Sequence, residues 1–449
     1  MIGKDKILNL LNSVIQKSKA DLTEAVYIGG EGGLTRFANS SIHQNVSERN
    51  SRVYFRVALG KKIGVASTNS FIQEDLEKSL LNAFEIAKNQ RENPNFPGLP
   101  SKSDYPKLNT YFESTAQFTP TQRAQGVKKI LDQTKASNLT ASGSFSTGYT
   151  EIAVVNSKGV AGYQPLTSTY LNLVVTGDDS AGYSDQLTRN VDDMGIDQLA
   201  QTAIKKCIDS KAPKSLEPGE YTVILEPSAV AALIEWMNYI GFGSKSLQEG
   251  TSFLANRIGK KIMGDNVTMY DNGPDESAIA FPFDFEGVPK QKVMLVENGI
   301  AKGVVYDSIT AHKEGKKSTG HSLTPDSSEG GLALNMFIEG GDSSLDKMIK
   351  SAEKAILITR FHYINGYLDT NNALLTGMTR DGTFWVEGGK VQHGIKNLRF
   401  TESMLKAFSN VRQISKERKI VNSWWGDVGC IVAPAMMMDN FKFTGKTEF

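Results

Sequence analysis

Three matches recur in the first half of the chain at one fixed offset. Asn39-Ser40 is matched by Asn156-Ser157, Gly60 by Gly177 and Ser67 by Ser184, each 117 residues further on. The order of expected elements repeats with them. An amphipathic stripe of Ile7, Leu8, Leu10, Leu11, Val14 and Ile15 predicts a helix over 4–18. Strands follow at 24–28, 36–43, 51–59 and 63–67, with a turn at Gly60, and a helix over 71–90 closes the unit. Ser70 and Gln73 fit a capping box for that helix. After Pro94, Pro97, Pro100 and Pro106, Thr119-Pro120 reads as N-cap and first residue of a helix over 120–134. Strands are expected near 141–146, 152–155, 160–163 and 167–175, then a helix over 196–209. The first half is therefore read as a duplicated α-β-β-β-α unit, about 1–92 and 117–212.

Pro213, Pro218 and Gly219 mark a boundary between an N-terminal α/β domain, 1–215, and a C-terminal β-rich domain, 216–449. Beyond a strand at 221–225, hairpin signals dominate. Asn298-Gly299 joins 292–297 to 300–307, and Asp381-Gly382 and Gly388-Gly389 bracket a strand at 383–387. Short helices are expected at 343–355 and 402–411. The fold class predicted is α+β, with an α/β-like first domain and a β-barrel-like antiparallel second domain carrying packed helices.

Charge excludes one class of partner. Fifty Lys and Arg stand against 49 Asp and Glu, and no long basic run is present. Direct nucleic-acid binding is not expected without a basic footprint. No apolar run approaches the roughly 20 residues that span a bilayer, and the first residues read as a helix rather than a leader. Cys207 and Cys430 lie far apart, so a disulfide framework is not expected. Cys207 reads as a small core residue. The expectation is a cytoplasmic protein.

Few residues offer chemistry. There is no Gly-x-Ser-x-Gly elbow and no phosphate-cradling loop, and the glycines at 29–33 do not form a dinucleotide fingerprint. His43, His312, His321, His362 and His393 include no pair at helix-face spacing. A non-local metal site from His312, His321 and Cys430 is weighed, with nothing in the sequence favouring it. Ser318-Thr-Gly-His321 reads as a loop able to contact a ligand. A helix is predicted over 227–241, with Ala229, Val230, Ala232, Leu233, Trp236, Met237 and Ile240 as its buried stripe and Glu235 pointing away.

The blocks Arg36–Gln44, Gly64–Thr68, Gly250-Thr-Ser-Phe253, Val296–Gly303, Ser318-Thr-Gly320, Asn335–Asp342 and Phe384–Gly389 occur in the order of the TldD/PmbA family. The chain resembles that family, and within it the PmbA, or TldE, branch. TldD-type members carry His-Glu-x-x-x-His on the helix that precedes Gly250-Thr-Ser252. Aligned without gaps, the two histidines fall on Glu235 and Ile240, and the general base falls on Trp236. Isoleucine has no donor atom, and a lone carboxylate makes a poor zinc site. TldD-type members also offer a C-terminal cysteine as third ligand, but Cys430 lies too close to Pro434 to take that role.

The resemblance implies a PmbA/TldE-type subunit of a zinc metalloprotease system that processes or degrades unfolded peptides. No metal and no cofactor is expected in this chain; zinc would sit in a TldD-type partner. The implied assembly is a heterodimer with that partner, or a homodimer in its absence, and the catalytic residues are left unassigned. Two alternatives stand beside it: a non-enzymatic binding protein modulating DNA gyrase or another target, and an autonomous metallopeptidase with an unfamiliar site.

Overall fold

The computed structural model describes residues 1–447; Glu448 and Phe449, the last two residues of the 216–449 unit, lie outside the described residues. The first part contains helix α1 (Lys4–Ile15), strands β1 (Leu22–Ala38), β2 (Ser41–Leu59) and β3 (Lys62–Thr68), and helix α2 (Gln73–Asn89). After the short helix α3 (Glu113–Ala116) come α4 (Pro120–Ala136), β4 (Thr140–Asn156), β5 (Ala161–Thr176), β6 (Ala181–Thr188) and α5 (Ile196–Asp209). The six strands form one antiparallel sheet in the order β3-β2-β1-β4-β5-β6. The first strands of the two units, β1 and β4, pair at its centre from Glu24↔Asn156 to Phe37↔Gly143.

The positions matched in sequence sit at corresponding places. Asn39 and Ser40 turn β1 into β2 with positive φ, and Asn156 and Ser157 lie at the turn from β4 into β5. Gly60 and Gly177 follow β2 and β5. A second correspondence concerns helix packing. A Cβ on Gly64 would stand 2.0 Å from the Ala83 carbonyl of α2, and one on Gly182 would stand 2.1 Å from the Ala203 carbonyl of α5. Each outer strand thus lets its helix lie directly on the backbone, and Cys207 occupies in α5 the place of Ala87 in α2. Cys207 is fully buried beside Ser180, 3.4 Å away.

Local expectations are corrected in both units; in the second, the strands expected at 141–146 and 152–155 are one strand, β4, and those at 160–163 and 167–175 are one strand, β5. The strands expected at 24–28 and 36–43 are one continuous strand turning at Asn39-Ser40, because Gly29–Gly33 remain extended and paired on both sides. Helix α2 is capped by Ile72 without a side-chain bond; Ser70 Oγ accepts the Ile72 N–H instead of closing a box with Gln73. Thr119 is the N-cap of α4 as expected, and with Gln122 it closes a capping box that the sequence reading did not include.

The second part begins with β7 (Gly219–Leu225), α6 (Pro227–Met237) and α7 (Ser244–Gln248), followed by β8 (Met269–Asp271), β9 (Val293–Glu297), β10 (Ile300–Ala301), α8 (Ser308–Lys313) and β11 (Asn335–Ile338). It continues with α9 (Leu345–Ser351), β12 (Lys354–Asp369), β13 (Leu374–Glu387), β14 (Lys390–Gly394), β15 (Leu398–Ser403), α10 (Met404–Ser409), β16 (Val411–Asn422) and β17 (Cys430–Lys446). Strand β7 pairs β12 on one side and β17 on the other, so β17-β15-β13-β12-β7 close into a ring. Closure removes the free edges of these strands. The barrel is not wholly antiparallel, because β7 runs parallel to β12; outside the ring, β11 adds to β17 in parallel. Asp381-Gly382 is an irregularity inside β13, not the end of a strand; its positive φ values bend the strand as it passes β12.

The barrel core contains Phe361, Phe400, Phe441 and Phe443, with ring centroids 4.8 to 5.4 Å apart for the successive pairs. Val26, Tyr54, Ile152, Val154 and Leu166 on the open face of the six-stranded sheet pack against Phe281, Phe283, Phe285, Leu323 and Leu334 of the second part. Arg56 bridges the same seam, 2.7 Å from Glu286 and 3.4 Å from Glu24, all three buried.

Candidate functional site

Helix α6 starts where Pro227 takes the first helical position, a place where its missing N–H costs nothing. It ends at Met237, and the chain then widens into a π turn over Asn238–Phe242. Such single wide turns concentrate at functional sites in helical proteins. Two neighbours fix this one. Ser252 Oγ donates to the Gly241 carbonyl at 2.7 Å, and the Phe253 ring lies so close that a Cβ on Gly241 would stand 2.1 Å from it. The Gly250–Phe253 block therefore clamps the end of α6.

The predicted stripe of α6 needs correction. Glu235 is buried, and Trp236 is half-buried. The helix is covered by β12, β17 and β16 together, so more than one face is enclosed. Glu235 accepts the Trp424 backbone N–H at 2.5 Å. Burial pushes its carboxyl up to about 7, against the pull of that N–H donor. Trp236 instead joins Tyr239, Tyr367 and Trp424 in a four-ring cluster, with edge-on contacts of 5.0 Å to Trp424 and 5.6 Å to Tyr367. Trp424 and Tyr367 remain more than half exposed. Ile240, the other aligned position, is buried. Of the three aligned positions only Glu235 carries an electron-pair donor, and it is already engaged; this donor set does not fit zinc.

The remaining candidates are dispersed. His43 lies on the exposed part of β2, and His312 is exposed on α8. His362 on β12 and His393 on β14 have pKa values lowered, in both cases first by burial and then by nearby Arg380 or Lys214. Among the described residues no three His, Cys, Asp or Glu side chains gather as a metal would require.

His321 is the exception to this dispersal, and the loop reading of 318–321 did not anticipate it. His321 is buried, with Nε2 2.8 Å from Asp271 Oδ1 and Nδ1 2.9 Å from Thr319 Oγ1. Asp271 Oδ2 accepts the Asn335 N–H at 2.7 Å, and Lys290 Nζ donates to Asn335 Oδ1 at 3.0 Å. Cys430 Sγ accepts the Ile279 N–H at 3.4 Å, and burial pushes its thiol up to about 12. A thiol so placed is neither a nucleophile nor a ready ligand. Thr319 Oγ1 also accepts the Tyr306 N–H. The network is enclosed and its members are occupied, so it acts as a polar spine joining β8, β11 and the 281–291 segment. Asp271, Lys290 and Asn335 gave no sequence signal beyond the position of Asn335 at the head of a family block.

A concavity able to take an extended ligand lies on the six-stranded sheet. A cleft of about 610 Å³ is lined by Gly29–Gly33 of β1, by Glu48, Asn50 and Arg52 of β2, and by Gly148 and Thr150 of β4. Beside it, β2 pairs with β1 along its whole length, while β3 covers its other edge only from Val53 onward. Residues 41–52 therefore offer backbone donors and acceptors along one side, a template for strand addition. In the sequence, Gly29–Gly33 carry no signal beyond their failure to match a dinucleotide fingerprint.

A fold with this duplicated sheet and closed barrel, and an α6 clamped by Gly250–Phe253, is that of the metallopeptidase-type proteins called PmbA and TldD. Residues 218–445 match the profile of the PmbA/TldA metallopeptidase C-terminal domain, 23–87 match domain 1 of the same family, and 120–210 match its central domain. The chain belongs to the PmbA/TldD family. It is 23% identical over 371 residues to the metalloprotease PmbA of Escherichia coli O157:H7, covering 79% of this chain and 78% of that one. It is 24% identical over 404 residues to a metalloprotease TldD homologue of Buchnera aphidicola, covering 85% and 82%. The solved structure of TldE from Thermococcus kodakarensis superposes with a TM-score of 0.89 at 21% identity, covering 97% of this chain and all of that one. A Thermotoga maritima protein described as a candidate modulator of a DNA gyrase superposes at 0.87 with 18% identity, covering 98% of this chain and all of that one. Among the described residues no helix is long and apolar enough to cross a membrane.

Proposed function

We propose that this chain is the PmbA/TldE-type subunit of a two-component zinc-dependent peptidase, and that a TldD-type partner supplies the metal. The observation that carries the reading is the state of α6. Where the family's metal helix needs two imidazoles and a general base, this chain places Glu235, Ile240 and Trp236, and Glu235 is buried and committed to the Trp424 N–H. The chain's contribution is then to hold an extended peptide. The glycine-lined cleft and the uncovered edge of β2 at 41–52 support that role, because backbone pairing is tolerant of sequence.

The test is metal content and proteolysis of three samples: the chain, a TldD-type partner, and the two co-expressed. The expected result is no zinc in the chain alone, about one zinc per heterodimer as for a single catalytic site, and faster cleavage of an unfolded peptide by the pair than by the partner. Stoichiometric zinc in the isolated chain, or no gain in proteolysis on adding it, overturns the proposal.

A further inference from the structure

A smaller cavity of about 370 Å³ opens where the end of the six-stranded sheet meets the start of α4, and Arg123 lines it together with Gly33, Thr119, Pro120 and Thr147. Arg123 is only 2% exposed. Its Nε donates to Thr35 Oγ1 at 3.3 Å, and its Nη1 donates to the Phe118 carbonyl and to Thr147 Oγ1, both at 3.0 Å. Its Nη2 is enclosed and has no hydrogen-bond partner among the described residues. No carboxylate stands within ion-pair distance among the described residues, and burial alone depresses its basicity. A guanidinium keeps its charge under these conditions. A buried cation without a counter-charge is a costly arrangement unless something brings the anion.

Two further features fit an anion. Helix α4 runs 17 residues, and its N-terminal residues Thr119 and Pro120 line the same cavity, so its partial positive charge adds to that of Arg123. Gly33 leaves the space in which the guanidinium lies: a Cβ there would stand 2.2 Å from Nη1 and 2.3 Å from Nη2. The rim is different. Glu31 and Glu113 line it with Tyr111 and Tyr149. Rim carboxylates disfavour a multiply charged phosphate and leave a single carboxylate as the anion that fits.

We propose that this cavity is a carboxylate-binding subsite in which Arg123 is the cation that holds the ligand. The cavity shares Glu31, Gly33, Thr147, Gly148 and Tyr149 with the larger cleft on the sheet. On the reading of that cleft as peptide-facing, the carboxylate comes from the peptide, at its C-terminus or on an Asp or Glu side chain. Binding at Arg123 does not itself depend on that reading.

The test is calorimetric titration of the full chain, without partner, against three short peptides. One has a free C-terminus and no acidic side chain; the second is its C-terminal amide; the third is that amide with one glutamate. Saturable binding of the first but not the second supports a C-terminal carboxylate, and binding of the third but not the second supports a side-chain carboxylate. Binding of whichever acid binds is expected to weaken by about tenfold or more in Arg123→Lys, where the Nη2 donors are lost. Equal affinity for acid and amide, binding unchanged by Arg123→Lys, or no saturable binding of any peptide overturns the inference. The comparison of acid with amide on the unsubstituted chain stands even if the variant does not fold. Because no proteolysis is measured, failure of the two-component reading leaves this result intact.

Discussion

Arg56 of the six-stranded sheet lies 2.7 Å from Glu286 of the barrel part, and the pair is buried at the seam between the two. Glu24, directly across from Arg56 on the neighbouring strand, shares the same guanidinium at 3.4 Å. One cation therefore serves two buried carboxylates, with Asp307 adding to the negative field.

Removing that cation is expected to be severe. Arg56→Met leaves Glu24 and Glu286 buried without a counter-charge, which costs about 3–5 kcal/mol in comparable cases. Urea unfolding of the variant against the native chain measures the loss. A change below about 1 kcal/mol would mean that water or a local shift compensates at the seam.

Stability is expected to fall as pH rises toward and through neutrality. Burial raises Glu24 to about 7, and burial raises Glu235 to about 7. A carboxyl raised in the folded state binds its proton more tightly there than in the unfolded chain. Its contribution is complete below pH 4.5, the ordinary value, and is lost as pH passes through about 7. Each group contributes up to about 3 kcal/mol to this slope. Glu24→Gln and Glu235→Gln should each flatten the curve of unfolding free energy between pH 5 and 8 by part of that amount; a slope unchanged in both variants contradicts the assignment.

Glu235 also anchors the segment after β16 through the Trp424 N–H. Glu235→Ala removes the acceptor and leaves a backbone donor unsatisfied, at about 1–3 kcal/mol. Glu235→Gln retains a carbonyl acceptor and should be milder. Amide hydrogen exchange at Trp424 reads the difference: fast in the alanine variant, near native in the glutamine variant.

The two helix-contact glycines give a matched pair of predictions. Gly64→Val and Gly182→Val both force a side chain into a helix carbonyl, and overpacking of this kind costs about 1–3 kcal/mol. Gly32→Ala, at a position with nothing within 4 Å of a Cβ, should change stability far less. Thermal unfolding of the three variants checks the ranking.

Local patterns in the sequence determined much of the architecture. The stripe from Ile7 to Ile15 (its helix expected to 18 and ending at Ile15), the Thr119-Pro120 helix start, the Asn298-Gly299 hairpin and the strand before Pro227 were legible because each depends on neighbours a few residues away. The family blocks were legible for the same reason. Tertiary structure decided the rest. Closure of the barrel depends on β7 meeting β17 some 200 residues later in the chain, a pairing that no local period encodes. The burial of Glu235 was misread because a periodic stripe describes a helix covered on one side, and α6 is covered by three strands. His321 became part of a buried network only when Asp271 and Asn335 were brought against it by separate strands. Arg123 gave no signal in sequence at all. Its position, charged and without a counter-ion beneath Gly33, exists because a helix and two strands distant in the chain converge there, and long-range packing alone sets that electrostatic environment.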